Sequence, residues 1–166
     1  LMPSAIDSVI KCLEQIPDAN VATLVTPLRK KAALHDPSVV KAELTPWRSD
    51  IFQQELCPQP DVWRAITFSR APVPSARDWH DSLLDRNPPL FWQHVGVYAY
   101  RRSVLEKWDS LPESPLAEIE SLEQLRLVEA GISIAAVRVD QTAQGIDTAA
   151  DYAVFVDRFL NQQAGR

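Results

Sequence analysis

The chain has 166 residues, 46% of them hydrophobic and 23% charged, with a formal net charge of -5. That is enough for one domain with a real core, and the proportions are those of an ordinary globular protein. The acidic balance argues against capture of nucleic acid by bulk attraction, no apolar run approaches the roughly 20 residues that span a bilayer, and the start lacks the basic-then-apolar pattern of a secretory leader.

In chain order, "PSAIDSVIKCLEQI" carries Ile6, Val9, Ile10, Leu13 and Ile16 at helical spacing, with Ser4 and Asp7 as a capping-box-like start. "NVATLVTPL" is β-rich and ends at Pro27, which predicts a buried strand. "LRKKAALHD" predicts a short charged helix and "PSVVKAEL" a strand over 39–44. Residues 45–63 mix Pro, Trp and charge without a period and read as an irregular excursion. "AITFSR" returns to strand pattern, and "APVPSARDWHDSLLDRNPP" reads as a Pro-rich loop around one helical turn. "FWQHVGVYAYRR" alternates β-branched and aromatic residues, the strongest strand pattern in the chain. "SVLEKWDSL" and "SPLAEIESLEQLRLVEAG" predict two helices, the second opened by Ser114-Pro115 and closed by Gly131. "ISIAAVRV" is a further strand, and "TAADYAVFVDRFLNQQ" a terminal amphipathic helix capped by Thr148 with Asp151. Strands alternating with helices, with no repeat and no linker, predict one α/β layered unit over 1–166.

Neither a phosphate-cradling glycine loop nor a zinc motif nor a serine nucleophile elbow occurs, and Cys12 and Cys57 form no metal or redox motif, which suits a reduced, cytoplasmic setting. Four polar spots remain. Arg70 ends a strand before a loop stiffened by Pro72 and Pro74; it is either a surface arginine or a fork for a carboxylate or phosphate. His94, Gly96 and Tyr98 alternate onto one strand face, with Val95, Val97 and Ala99 on the other. They are either hydrogen-bonded within a half-buried sheet or a surface that a ligand approaches over the glycine. Glu120 and Gln124 stand four apart and share one helix face, solvated or ligand-binding, while Ile119, Leu122 and Leu125 point to a core. Asp147, before a helix cap, either helps that cap or supplies an oxygen ligand to a hard cation.

Together the segments "ATLVTPL", "DPSVVKAEL", "FSRAPVP", "HVGVYAYR", "SPLAEIESLEQLRLVEAGI" and "GIDTAAD", in that order, resemble the 3-deoxy-manno-octulosonate cytidylyltransferases, the CMP-Kdo synthetases. The resemblance spans nearly the whole chain and rests most on "IESLEQLR" with "HVGVYAYR". It implies a Rossmann-like fold of the nucleotide-diphospho-sugar transferase kind, a layered sheet with flanking helices. The family's enzymes join Kdo to CTP and release pyrophosphate, giving the activated sugar used for lipopolysaccharide. By resemblance, Arg70 would meet the sugar carboxylate, His94, Tyr98, Glu120 and Gln124 its hydroxyl groups, and Asp147 one Mg²⁺ ion. The implied partners are CTP, Kdo and a second copy of the chain, as a homodimer. In that family a Gly-Asp-Glu-Pro element runs directly into a segment like "LMPSAIDSVI", so the chain reads as the C-terminal two-thirds of such an enzyme, without the phosphate loop and inactive alone.

Three features depart from the family. Ser75 stands where an aromatic usually follows the Pro, "TAQG" replaces a Pro-Gly turn before Asp147, and Ala149-Ala150 replaces Pro-Glu. Residues 45–63 match poorly. Two other readings stay open: a cytidylyltransferase for amino-Kdo or a sialic acid, and a non-catalytic piece that binds sugar or dimerises.

Overall fold

The computed structural model describes residues 3–47, 62–140, 152, 153, 155–157 and 160. Asp147, Thr148, Asp151, Cys57 and most of the 45–63 excursion therefore lie outside the described residues. Of the terminal amphipathic helix, the described residues are helical.

The order of elements is α1 (Pro3–Gln15), β1 (Val21–Pro27), α2 (Lys31–His35), β2 (Lys41–Pro46), β3 (Val62–Ser69), a 3-10 turn (Asp81–Asp85), β4 (Trp92–Tyr100), α3 (Arg102–Leu105), a second 3-10 turn (Trp108–Ser110), α4 (Pro115–Glu120), α5 (Gln124–Glu129) and β5 (Ile134–Arg138). This is the expected mixed α/β fold, a sheet with flanking helices. β1 pairs parallel with β5 and antiparallel with β4; β2 pairs antiparallel with β4 and β3, and β3 antiparallel with β5. The strands thus follow one another β1-β4-β2-β3-β5 and close on themselves.

Period-two alternation sorts the sheet into two faces. Val21 and Val25 of β1, with Ile134 and Ala136 of β5, join Phe68, Trp92, Leu122, Leu125 and Leu127 in one core. Ala22, Leu24 and Ala135 point the other way, onto Val9, Cys12 and Leu13 of α1 and Ile16 just after it. A third cluster of Leu28, Leu34, Leu84 and Phe91 anchors α2 and the loop before β4. Helix α1 differs from its sequence pattern in detail. Ala5 and Cys12 are buried where Ile6 and Ile10 were expected, and those two isoleucines are exposed. Its first turn starts at Pro3, so Ser4 lies inside the helix instead of capping it.

Other boundaries move. β2 begins at Lys41, two residues later than the strand predicted from Val39, because the Val39 N–H closes a turn onto Asp36 O at 3.1 Å. "SVLEKWDSL" is a four-residue α3 and a separate 3-10 turn, not one helix.

The largest correction falls on 115–130, which is two helices. Ser114 caps α4 as expected, accepting the Ala117 N–H at 3.0 Å with Pro115 at the first position. Ser121 then turns left-handed, φ 51°. Its N–H donates to Glu118 O at 3.4 Å and the Leu122 N–H to Ala117 O at 3.1 Å. That pair of bonds, with Leu122 packed into the same core as Ala117, is a Schellman end. Glu120 and Gln124 consequently do not share a helix face, and Ile119 is 80% exposed where it was expected in the core. Leu122 and Leu125 are buried as expected. α5 ends as predicted: Gly131 (φ 72°) donates to Val128 O at 3.0 Å, and Ile132 donates to Leu127 O at 2.9 Å.

Candidate functional site

The start of β2, the end of β3 and the start of β4 meet at one end of the sheet, where Lys41 lies opposite both Ser69 and Gln93. Two polar groups form there, linked through Phe68.

The first group holds the end of α4. Glu120 Oε1 accepts the Ser69 hydroxyl at 2.7 Å and Oε2 accepts the Arg70 backbone N–H at 2.8 Å. Burial pushes this carboxyl's pKa up, but these two bonds and the charges of Arg70 and Lys41 outweigh it and hold it below the ordinary value. The Arg70 guanidinium donates to Glu120 O at 2.7 Å, Pro37 O at 2.9 Å and Ser121 O at 3.3 Å. Three of its five N–H bonds are thus spent on backbone carbonyls, and no acceptor among the described residues takes the other two. Below it Lys41 is fully buried, its Nζ donating to Asp36 O at 2.9 Å, Val39 O at 2.6 Å and Arg70 O. Burial lowers its pKa, with Asp36 and Glu120 opposing the shift and Arg70 adding to it.

The second group lies along β4. Thr23 faces Tyr98 across the ladder while the next residue, Leu24, faces Val95, so Gly96 and Val97 bulge without partners. The His94 and Tyr98 rings nevertheless stand together, centroids 5.4 Å apart, with Val95, Val97 and Ala99 packed against the α1 face. The alternation read from sequence therefore survives the bulge. Tyr100 continues the row at 5.7 Å from Tyr98, and Trp108 meets Tyr100 edge-on at 6.0 Å. Phe68 of β3 meets His94 edge-on at 4.8 Å. Burial pushes the His94 pKa down to about 4. It pushes the Tyr98 and Tyr100 hydroxyls up, Glu123 adding to both. At neutral pH the row is therefore polar but uncharged, which suits hydroxyl groups better than ions. Gly96 is exposed with open space where a Cβ would stand, so the room there does not depend on the glycine.

Gln124, at the start of α5, is buried at 3% exposure. The structure thus joins Arg70 to Glu120 and His94 to Tyr98, and connects the two pairs by the step from Phe68 to Ser69.

A family model described as Cytidylyltransferase matches residues 1–134. The chain belongs to the cytidylyltransferase family. It is 42% identical over 161 residues to a 3-deoxy-manno-octulosonate cytidylyltransferase of Rhodopirellula baltica, covering 96% of this chain and 58% of that relative. It is 35% identical to one of Syntrophotalea carbinolica, covering 90% of this chain and 54% of the relative. The solved structure of a CMP:2-keto-3-deoxy-manno-octonic acid synthetase complexed with CTP superposes with a TM-score of 0.73 at 32% identity, over 98% of this chain and 58% of that one. The chain thus spans little more than half the length of the relatives it matches. The resemblance carried by the sequence motifs and the expected fold class both hold for this cytidylyltransferase chain.

Sequence reading missed Thr23, Lys41 and Ser69. Thr23 sits inside the apolar run "VATLV" and Lys41 inside "VVKAEL", and a polar side chain within a strand otherwise built for burial is the signal that finds both.

Proposed function

We propose that the protein to which this chain belongs transfers CMP from CTP to 3-deoxy-manno-octulosonate with release of pyrophosphate, supplying activated sugar for lipopolysaccharide. The observation that carries this reading is similarity along nearly the whole chain to relatives of that one name. The geometry supports it. An acid sugar presents one carboxylate and several hydroxyl groups, and the site offers two guanidinium N–H bonds of Arg70 that no described residue takes, beside the uncharged row of His94 and Tyr98.

In this reading Arg70 receives the sugar carboxylate, and His94, Tyr98 and Gln124 receive its hydroxyl groups. Glu120 also receives a hydroxyl; each of its oxygens already accepts one bond and retains a lone pair for a sugar hydroxyl. Bound this way, the sugar's anomeric hydroxyl is oriented to attack the α-phosphorus of CTP. A new P–O bond forms as the bond to pyrophosphate breaks, so the work of these residues is positioning. Mg²⁺ is the proposed cofactor and would neutralise charge on the phosphates, with Asp147 one ligand. Asp147 lies outside the described residues, and among the described residues no group of three or more His, Cys, Asp or Glu could hold a metal. Among the described residues no helix is long and apolar enough to cross a membrane. A cytoplasmic homodimer is the proposed state.

The test is pyrophosphate release from CTP by the intact protein with Mg²⁺, with and without Kdo. Release that requires Kdo is expected. Release supported instead by amino-Kdo or a sialic acid would move the substrate to that sugar, and none from the folded protein with any acid sugar would overturn the catalytic reading.

A further inference from the structure

Thr23 has no exposure, and its Oγ1 has three neighbours: Val97 O at 2.8 Å, Val95 O at 3.4 Å and His94 Nε2 at 3.0 Å. Carbonyl oxygens only accept, and a hydroxyl has a single proton. With the shorter contact, to Val97 O, taking that proton, the threonine oxygen is left as an acceptor. His94 Nε2 must then be the donor. The bulge at Gly96 and Val97 is what brings the Val97 carbonyl within reach. The imidazole is fixed further by Phe68 and Tyr98 on its flanks and by its own backbone N–H, which donates to Val40 O at 2.9 Å.

We propose that Thr23 is a positioning residue: it locks His94 in the Nε2–H tautomer, so that Nδ1 is a fixed hydrogen-bond acceptor reserved for a ligand hydroxyl. Among the described residues no group hydrogen-bonds Nδ1. Burial keeps the ring neutral at pH 7, so it carries one N–H and that one is spent on Thr23. A lone pair at Nδ1 repels a carboxylate or phosphate oxygen and welcomes an O–H. Resting on the acid-sugar reading, this assigns His94 to a sugar hydroxyl and directs the sugar's carboxylate elsewhere, which sets the orientation of the sugar on the sheet. It also gives a buried threonine in an apolar strand a role in specificity.

Long-range ¹H–¹⁵N spectra of the intact protein labelled at histidine read the tautomer directly, with His94→Gln used to assign the signals. An unprotonated Nδ1 and a protonated Nε2 are expected; the reverse pattern, or a doubly protonated ring at pH 7, overturns the proposal whatever the enzyme acts on. Kinetics supply the second arm. Thr23→Val should raise KM for Kdo about tenfold, the loss of one oriented hydrogen bond, with kcat and the KM for CTP little changed, and Thr23→Ser should restore it. An unchanged KM for Kdo in a folded Thr23→Val protein would overturn the positioning role. A variant that fails to fold leaves the decision to the wild-type spectrum. Because the spectrum needs no turnover, the tautomer can stand or fall separately from the choice of substrate.

Discussion

Lys41→Met is expected to lower the stability of the protein by about 3 kcal/mol, roughly 6–12 °C in Tm for a chain of this size. The side chain is fully buried, and its ammonium serves three carbonyls, those of Asp36, Val39 and Arg70. Methionine keeps an unbranched apolar stem one atom shorter and loses every donor. Each carbonyl stripped of its partner costs on the order of 1 kcal/mol or more where water cannot replace the lost bond. The effect reaches the site because Arg70 is also the residue whose N–H holds Glu120 and whose guanidinium ties Pro37 to Ser121. Denaturant unfolding of wild type and variant at pH 7 checks this. A loss below about 1 kcal/mol would mean that the carbonyls rehydrate and that Lys41 does not organise the junction.

The second large effect is acid lability from His94. A histidine in the unfolded chain titrates near 6.5, whereas the folded value is pushed to about 4. Between those values the unfolded state binds the proton and the folded state does not, so stability is full above about pH 6.5 and falls as pH falls toward 4. The total loss is about 3 kcal/mol, with about 2 kcal/mol gone by pH 5. Glu120, whose pKa is depressed, also loses stability on acidification, but around and below the ordinary carboxylate range. The interval from pH 6.5 to 5 therefore belongs mainly to His94. Chemical unfolding from pH 7 to 5 should show the decline in wild type and a nearly flat profile in His94→Gln. A flat wild-type profile would contradict the neutral, largely desolvated placement of the ring.

The fold was legible where burial imposed a period. The buried run of β1, the alternation of β4, the helical period of α1 and the Ser114-Pro115 and Gly131 ends of the 115–130 region follow from side-chain placement and cap chemistry, although α1 turns Ile6 and Ile10 outward. The break at Ser121 was not legible, because a left-handed helix end ordinarily announces itself with glycine or asparagine, and serine there looks like helix interior. That one residue decides the site. It lets Glu120 turn toward Ser69 and Arg70 while Gln124 starts a new, buried turn, so two residues four apart in sequence reach different surroundings. Tertiary hydrogen bonds were equally invisible. Nothing local to Thr23 or Lys41 shows that a bulge in β4 or a loop after β3 will present a carbonyl to it. His94 and Tyr98, by contrast, were found together because they lie on one strand.

The central claim is that the His94–Tyr98 face of β4, beside Arg70, is where the acid sugar binds. A crystal structure of the intact protein with Kdo tests it most directly. The account predicts the sugar over that face, a hydroxyl on His94 Nδ1 and the carboxylate on Arg70. Kdo bound elsewhere, or its carboxylate against His94, would contradict it.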